Sequence, residues 1–292
     1  MDDVTKGPLI LAAHAATVGA IAVRRALPQR QHRTVGAWCF ADHLGPAAVA
    51  RDRGLDIGPH PHIGLQTVTW LTTGEALHRD SLGSEQLIRP GQLNLMTAGR
   101  GVAHAEEATG QYAGRLEGIQ LWVAQPDTTR QGPAAFEHHG SLPRIETSAY
   151  DATVLVGDFG GTSSPARHDT PLLGLELVVR EPTTLPLRWD FEHAPIVLDG
   201  AIREGETTLV PGQIGIWELG RDEFAITPDG TTRVMMLGGV PFPETIIMWW
   251  NFVARTRDEI SVAARSWRAR DGRFAKVASA LPVIEAPNVP WR

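Results

Sequence analysis

One segment of this chain is written twice. Leu87-Ile88-Arg89-Pro90-Gly91-Gln92-Leu93-Asn94-Leu95-Met96-Thr97-Ala98-Gly99-Arg100 is echoed by Leu209-Val210-Pro211-Gly212-Gln213-Ile214-Gly215-Ile216-Trp217-Glu218-Leu219-Gly220-Arg221, with Pro-Gly-Gln and the later Gly-Arg at a constant offset of 121 residues. Both copies read as a tight turn entering a strand with apolar residues at alternate positions, so the same hairpin is expected in two lobes. A length of 292 residues with 42% hydrophobic content is enough for two ordinary cores.

The rest of the chain agrees with such a plan. Thirty glycines and 21 prolines separate short apolar runs at 67–71, 118–123, 153–156, 175–179 and 233–237. Strands punctuated this closely by turn residues predict an all-β fold of two barrels or sandwiches, not a βαβ fold. One helix is expected near the end, where Thr256 and Glu259 stand in capping-box spacing before Ile260, Ala263, Ala264 and Trp267. The stretch 165–171, bounded by two prolines, sets the expected lobe boundary. This gives residues 1–165 as one lobe and 166–292 as the other, the second carrying the helix. The proline-containing tail 281–292 is expected to lie over the other lobe or to hang loose.

Charge and cysteine content exclude several classes of function. A net charge of -6 and a pI near 6.0 leave no basic surplus for phosphate contacts, so neither nucleic acid nor an anionic membrane is an expected partner. The single cysteine, Cys39, allows no internal disulfide framework and no thiolate cluster, so any metal must be held by nitrogen and oxygen. The apolar run 9–23 is preceded by Asp2 and Asp3, interrupted by His14 and followed by Arg24 and Arg25, the wrong polarity for a secretory signal. No window reaches the ~18 apolar residues of a membrane span. A cytoplasmic location is therefore expected.

The chemistry concentrates in two short motifs. In Gly58-Pro59-His60-Pro61-His62 the histidines are two apart, and on extended chain they point to one face. His104-Ala105-Glu106 repeats that spacing with one imidazole and one carboxylate. If the two strands are neighbours, four ligands meet: His60, His62, His104 and Glu106. Three neutral nitrogens and a carboxylate suit first-row divalent metals, whereas magnesium and calcium prefer more oxygen. An octahedral ion so held keeps two positions for substrate or dioxygen. The remaining histidines, His14, His32, His43, His138, His139, His168 and His193, are read as hydrogen-bonded core or surface residues, with His138-His139 in a loop. His78 is a candidate for lining the cavity.

The run His60-Pro61-His62-Ile63-Gly64, Thr67-Val68-Thr69-Trp70, Gly74-Glu75, His78-Arg79-Asp80-Ser81-Leu82-Gly83, Pro90-Gly91, Met96-Thr97-Ala98-Gly99-Arg100-Gly101 and His104-Ala105-Glu106 resembles the pirins, members of the cupin superfamily of small β-barrels. Weaker likeness extends to Arg24-Arg25-Ala26-Leu27-Pro28 at the start and to Gly238-Gly239-Val240-Pro241 and Arg257-Asp258-Glu259-Ile260 at the end. The resemblance implies a bicupin that binds one divalent transition metal through His60, His62, His104 and Glu106. Iron is the expected ion, with manganese, cobalt, nickel, copper or zinc as alternatives. Gln66 stands where the family usually has glutamate, which removes a possible second base. Carrying the repeat forward takes His104 and Glu106 onto Ala225 and Thr227, and aligning Gly74 with Gly200 takes His60 and His62 onto Pro186 and Arg188. The second lobe is therefore expected to be a metal-free copy.

Some pirin relatives are quercetinases, so the resemblance implies a dioxygenase that opens flavonol-like chelating substrates with dioxygen. Glu106 would be its catalytic base, and Trp70 and Met96 are candidate wall residues. The alternative it implies is a regulatory protein that senses metal or redox state and acts through a protein partner.

Overall fold

The computed structural model describes residues 7–291, so Asp2 and Asp3 lie outside the described residues. The backbone divides into two units: Arg24–Phe40 and Leu142–Phe242 with the N-terminal segment in one, and Ala15–Val23, Ala41–Ser141 and Pro243–Arg292 in the other. The expected boundary at 165 falls inside the first unit. The strand Tyr150–Phe159 pairs with Leu172–Val179, so residues on both sides of 165–171 share one sheet. That proline-bounded stretch is a connection between neighbouring strands.

Each unit is built from a large and a small antiparallel sheet in the same order. In the unit carrying the histidine motifs, the small sheet runs Ile57–His62, Val102–Glu107, Ala76–Asp80, Glu85–Ile88. Facing it are Ala135–His139, Leu93–Thr97, Leu65–Thr73 and Gly114–Ala124 of the larger sheet. Ile21, Leu44, Leu55, Ile57, Leu71, Ile88 and Leu116 form the core of this unit. In the other unit the small sheet is Thr183–Pro186, Glu223–Pro228, Ile202–Glu204, Thr207–Leu209, and the large one contains Gln213–Ile216, Glu192–Asp199 and Thr232–Gly239. Its core holds Leu175, Leu177, Phe191, Val197, Trp217, Phe224, Val234 and Met236. All five apolar runs seen in the sequence lie inside strands. The run 9–27 is also strand, as Leu9–Ala12, His14–Val18 and Ile21–Leu27.

The duplicated hairpin is reproduced down to its side chains. Gly91 and Gly212 have φ of 83° and 90°, the left-handed region that a turn with proline before it requires of the second central residue. The following glutamine locks each turn in the same way: Gln92 Oε1 accepts from the Arg89 N–H at 2.9 Å, and Gln213 Oε1 from the Val210 N–H at 3.2 Å. The two units are thus copies of one cupin-type β architecture.

The helix Arg257–Ala269 is capped as its sequence implies: Thr256 accepts from the Glu259 N–H, Glu259 bonds back to the Thr256 N–H, and Ile260, Ala263, Ala264 and Trp267 are buried. Thr256→Ala is expected to cost about 1 kcal/mol of stability, read as a lower midpoint in urea with an unchanged slope. The helix packs against Ile63, Ala103, Ala105 and Phe252, in the unit of the histidine motifs, which corrects its placement in the second lobe. The tail follows it there, with the Ile284 N–H donating to the Pro59 carbonyl and Trp267 Nε1 to the Ile284 carbonyl. Gly58 makes this approach possible, because a Cβ there would sit 1.9 Å from the Pro282 carbonyl oxygen. Long-range packing of an apolar helical face decided this, and no local signal encodes it. Among the described residues, no helix is long and apolar enough to cross a membrane.

Candidate metal centre

His60 and His104 lie directly opposite each other on the paired strands Ile57–His62 and Val102–Glu107, and His62 faces Val102 on the same ladder. Alternation sends all three imidazoles to one face. They converge: ligand atoms of His60, His62 and His104 lie within 4.8 Å of one another, and the Nε2 atoms of His62 and His104 are 3.0 Å apart. All three residues are buried.

The outward nitrogens are anchored. His60 Nδ1 donates to the Gly58 carbonyl at 2.9 Å and His62 Nδ1 to the Asn251 carbonyl at 3.0 Å. His104 Nδ1 meets His78 Nδ1 at 3.4 Å, and His78 Nε2 reaches Asp80 Oδ2 at 3.2 Å. The other Asp80 oxygen accepts from the Leu82 and Ser84 N–H groups at 2.9 Å each. These bonds fix each tautomer with Nε2 free to donate a lone pair inward, the arrangement that metal-binding histidines use. His78, expected only as a lining residue, is thus the link between His104 and a pinned carboxylate.

The electrostatics point the same way. Burial lowers the His60 pKa to about 4, partly opposed by the Gly58 bond and reinforced by His78. Burial and the neighbouring imidazoles hold His62 and His104 well below the ordinary histidine value. The three rings are therefore neutral at neutral pH, the state a metal ion requires. The donor set fits a first-row divalent ion.

These shifts carry a consequence for the metal-free protein. Unfolded histidines take up protons near pH 6.5, whereas His60 in the fold does so only near 4, so stability is full above 6.5 and falls as pH drops toward 4. The His60 shift by itself is expected to make urea melts of metal-free protein at pH 7 and pH 5 differ by about 2 kcal/mol.

Glu106 is buried on the same strand but stands outside the three-histidine group. Burial raises its pKa, opposed by His78 and by a hydrogen bond with Thr69. Thr69 belongs to the facing sheet, which shows that Thr67 and Thr69 point toward the site and that Gln66, Val68 and Trp70 point away. Gln66 accordingly bonds Thr97 Oγ1 through its Nε2 at 3.1 Å. The glutamine at this position therefore removes no base from the site. Trp70 is likewise no wall residue, whereas Met96, paired with Thr67, faces the imidazoles. Sequence reading missed Trp122, whose ring lies edge-on to His62 at 5.2 Å, and Phe136, stacked on His78 at 4.4 Å. Both pair within the row of Thr67 and Met96, a register no spacing reveals. His138 and His139 lie on the strand Ala135–His139, not in a loop.

The unit containing Leu142–Phe242 has no such centre among its described residues. Its strand Glu223–Pro228 carries Ala225 opposite Thr184 and Glu223 opposite Pro186. The counterparts of His60 and His62 are therefore Thr184 and Pro186, in place of the expected Pro186 and Arg188, because the connection after Thr183–Pro186 is longer than the one after Ile57–His62. The chain is thus a bicupin whose first barrel holds a cluster of three histidines able to bind metal.

Comparison with known proteins agrees. Residues 20–123 match the family described as Pirin, and residues 173–275 the one described as Pirin C-terminal cupin domain. The chain belongs to the pirin family. It is 44% identical over 277 residues to a Pseudomonas aeruginosa protein named "Putative quercetin 2,3-dioxygenase PA1205", covering 94% of this chain and 88% of that one. The crystal structure of quercetin 2,3-dioxygenase from Acinetobacter baumannii superposes with a TM-score of 0.94 at 41% identity, covering 98% of this chain and 97% of that one. The nickel(II) complex of the bacterial pirin YhhW from Escherichia coli shares the fold, with a TM-score of 0.61 at 16% identity over 80% of this chain and 100% of that one.

Proposed function

We propose that this protein is a metal-dependent dioxygenase of the quercetin 2,3-dioxygenase type, acting on flavonol-like chelating substrates. The observation that carries this reading is the convergence of three neutral imidazoles whose outer nitrogens are all hydrogen-bonded. His60, His62 and His104 are the nitrogen ligands, and Glu106, two residues beyond His104, supplies the carboxylate. When bound, the metal, with iron as the first choice, supplies Lewis acidity to the adjacent hydroxyl and carbonyl oxygens of the substrate.

Glu106 is suited to accept the substrate hydroxyl proton, because burial raises its pKa. Trp122, Phe136 and Met96 give the surroundings of the imidazoles an apolar character. The relatives named as quercetin 2,3-dioxygenases support the substrate class. The test is oxygen uptake with quercetin by protein reconstituted separately with iron, manganese, cobalt, nickel, copper and zinc. Uptake with at least one metal is expected. Absence of uptake with metal demonstrably bound would overturn the assignment.

A further inference from the structure

The larger sheet presents two adjacent rows of side chains to the metal centre. Strand register places Phe136, Met96, Thr67 and Trp122 side by side in one row, and His138, Asn94, Thr69 and Gln120 in the next. Directly opposed residues of an antiparallel sheet share a face. That face is the inner one, as the contacts of Trp122 with His62, of Phe136 with His78 and of Thr69 with Glu106 establish.

The second row is polar and unevenly satisfied, with Thr69 and Asn94 buried and His138 and Gln120 half-buried. His138 Nδ1 donates to Asn94 Oδ1 at 2.7 Å, and Thr69 Oγ1 donates to Gln120 Oε1 at 3.0 Å. Both amides thus spend their carbonyl ends within the row. Their donor ends, Asn94 Nδ2 and Gln120 Nε2, are buried without any partner, and Asn94 as a whole is 2% exposed. A buried donor left unpaired is costly, and two on one row facing a site call for an acceptor that the protein itself does not provide.

We propose that this row is the substrate-recognition ledge of the site, with Asn94 and Gln120 as its specificity-determining donors. The inference rests on the dioxygenase reading and names the class of substrate. The ligand is a planar aromatic molecule bound at the metal centre. Besides its metal-chelating pair it carries further oxygen substituents, which accept from Asn94 and Gln120.

Two flavonols separate these features. Quercetin and 3-hydroxyflavone share the chelating hydroxyl and carbonyl, but the second lacks the remaining hydroxyls. Binding to metal-loaded protein is followed anaerobically by quenching of tryptophan fluorescence, so that no turnover intervenes. The parent protein is expected to bind quercetin at least about tenfold more tightly than 3-hydroxyflavone, and Asn94→Leu and Gln120→Leu each to lose most of that preference while 3-hydroxyflavone binding is retained. Retained 3-hydroxyflavone binding also reports that each variant is folded. Equal affinities in the parent, a preference that survives both substitutions, or no binding of either flavonol would overturn the proposal. Readmission of oxygen tests the other reading separately: the predicted preference without oxygen uptake removes the dioxygenase and leaves the ledge.

Discussion

Replacing His60 and His62 together by alanine is expected to abolish both metal retention and oxygen uptake while leaving the fold intact. The two side chains supply two of the three converging nitrogens, and neither is replaced by any neighbouring donor in the cluster. Loss of an outer hydrogen-bond partner alone typically costs 10–100-fold in metal affinity, so loss of two ligands should exceed about a hundredfold. The strand that carries them keeps its ladder to Val102–Glu107 and its hydrogen bond from Ile284, both of which are main-chain interactions. Metal content after dialysis, oxygen uptake with quercetin and a urea melt of the metal-free protein are the measurements. A double variant that retains one equivalent of metal would place the centre elsewhere.

The second large effect belongs to a residue that touches no metal. Asp80 holds His78 through its Oδ2, and His78 in turn meets His104 Nδ1. Burial pushes the Asp80 carboxyl up, yet the bonds from His78 and Ser84 outweigh it and hold its pKa below the ordinary value. Asp80 is therefore ionised, and it fixes the tautomer that leaves His78 Nδ1 as an acceptor toward His104. Asp80→Asn keeps the shape and the possibility of a neutral bond, whereas Asp80→Ala removes the anchor. Metal affinity is expected to fall about tenfold in Asp80→Asn and nearer a hundredfold in Asp80→Ala. Competition with a chelator of known affinity measures both. Equal affinity in all three proteins would show that His104 needs no such support.

Much of this was legible in the chain because the relevant physics is local. Histidines two apart on extended chain share a face whatever surrounds them, so the pairing of His60 with His62 required only that the segment be a strand. The turn at Pro90-Gly91-Gln92 demands the same backbone wherever it occurs, which is why its echo at Pro211-Gly212-Gln213 revealed two copies of one architecture. The capping box at Thr256 and Glu259 works within a single turn and appeared as written.

What the chain could not disclose are contacts between segments far apart in sequence. The lobe boundary and the seat of the terminal helix depend on which apolar surfaces meet, and only the packed cores show them. Asn251 supplies a carbonyl to His62 from 189 residues away, and any residue type can do so, leaving no pattern to read. The walls at Trp122 and Phe136, and the unpaired amides of Asn94 and Gln120, follow from strand register, which one residue of slip would reverse. The sequence by itself determined the fold class, the duplication and the three imidazoles. Tertiary structure alone decided what surrounds those imidazoles, because local chain geometry sets which way a side chain points, whereas what it meets there depends on the whole fold.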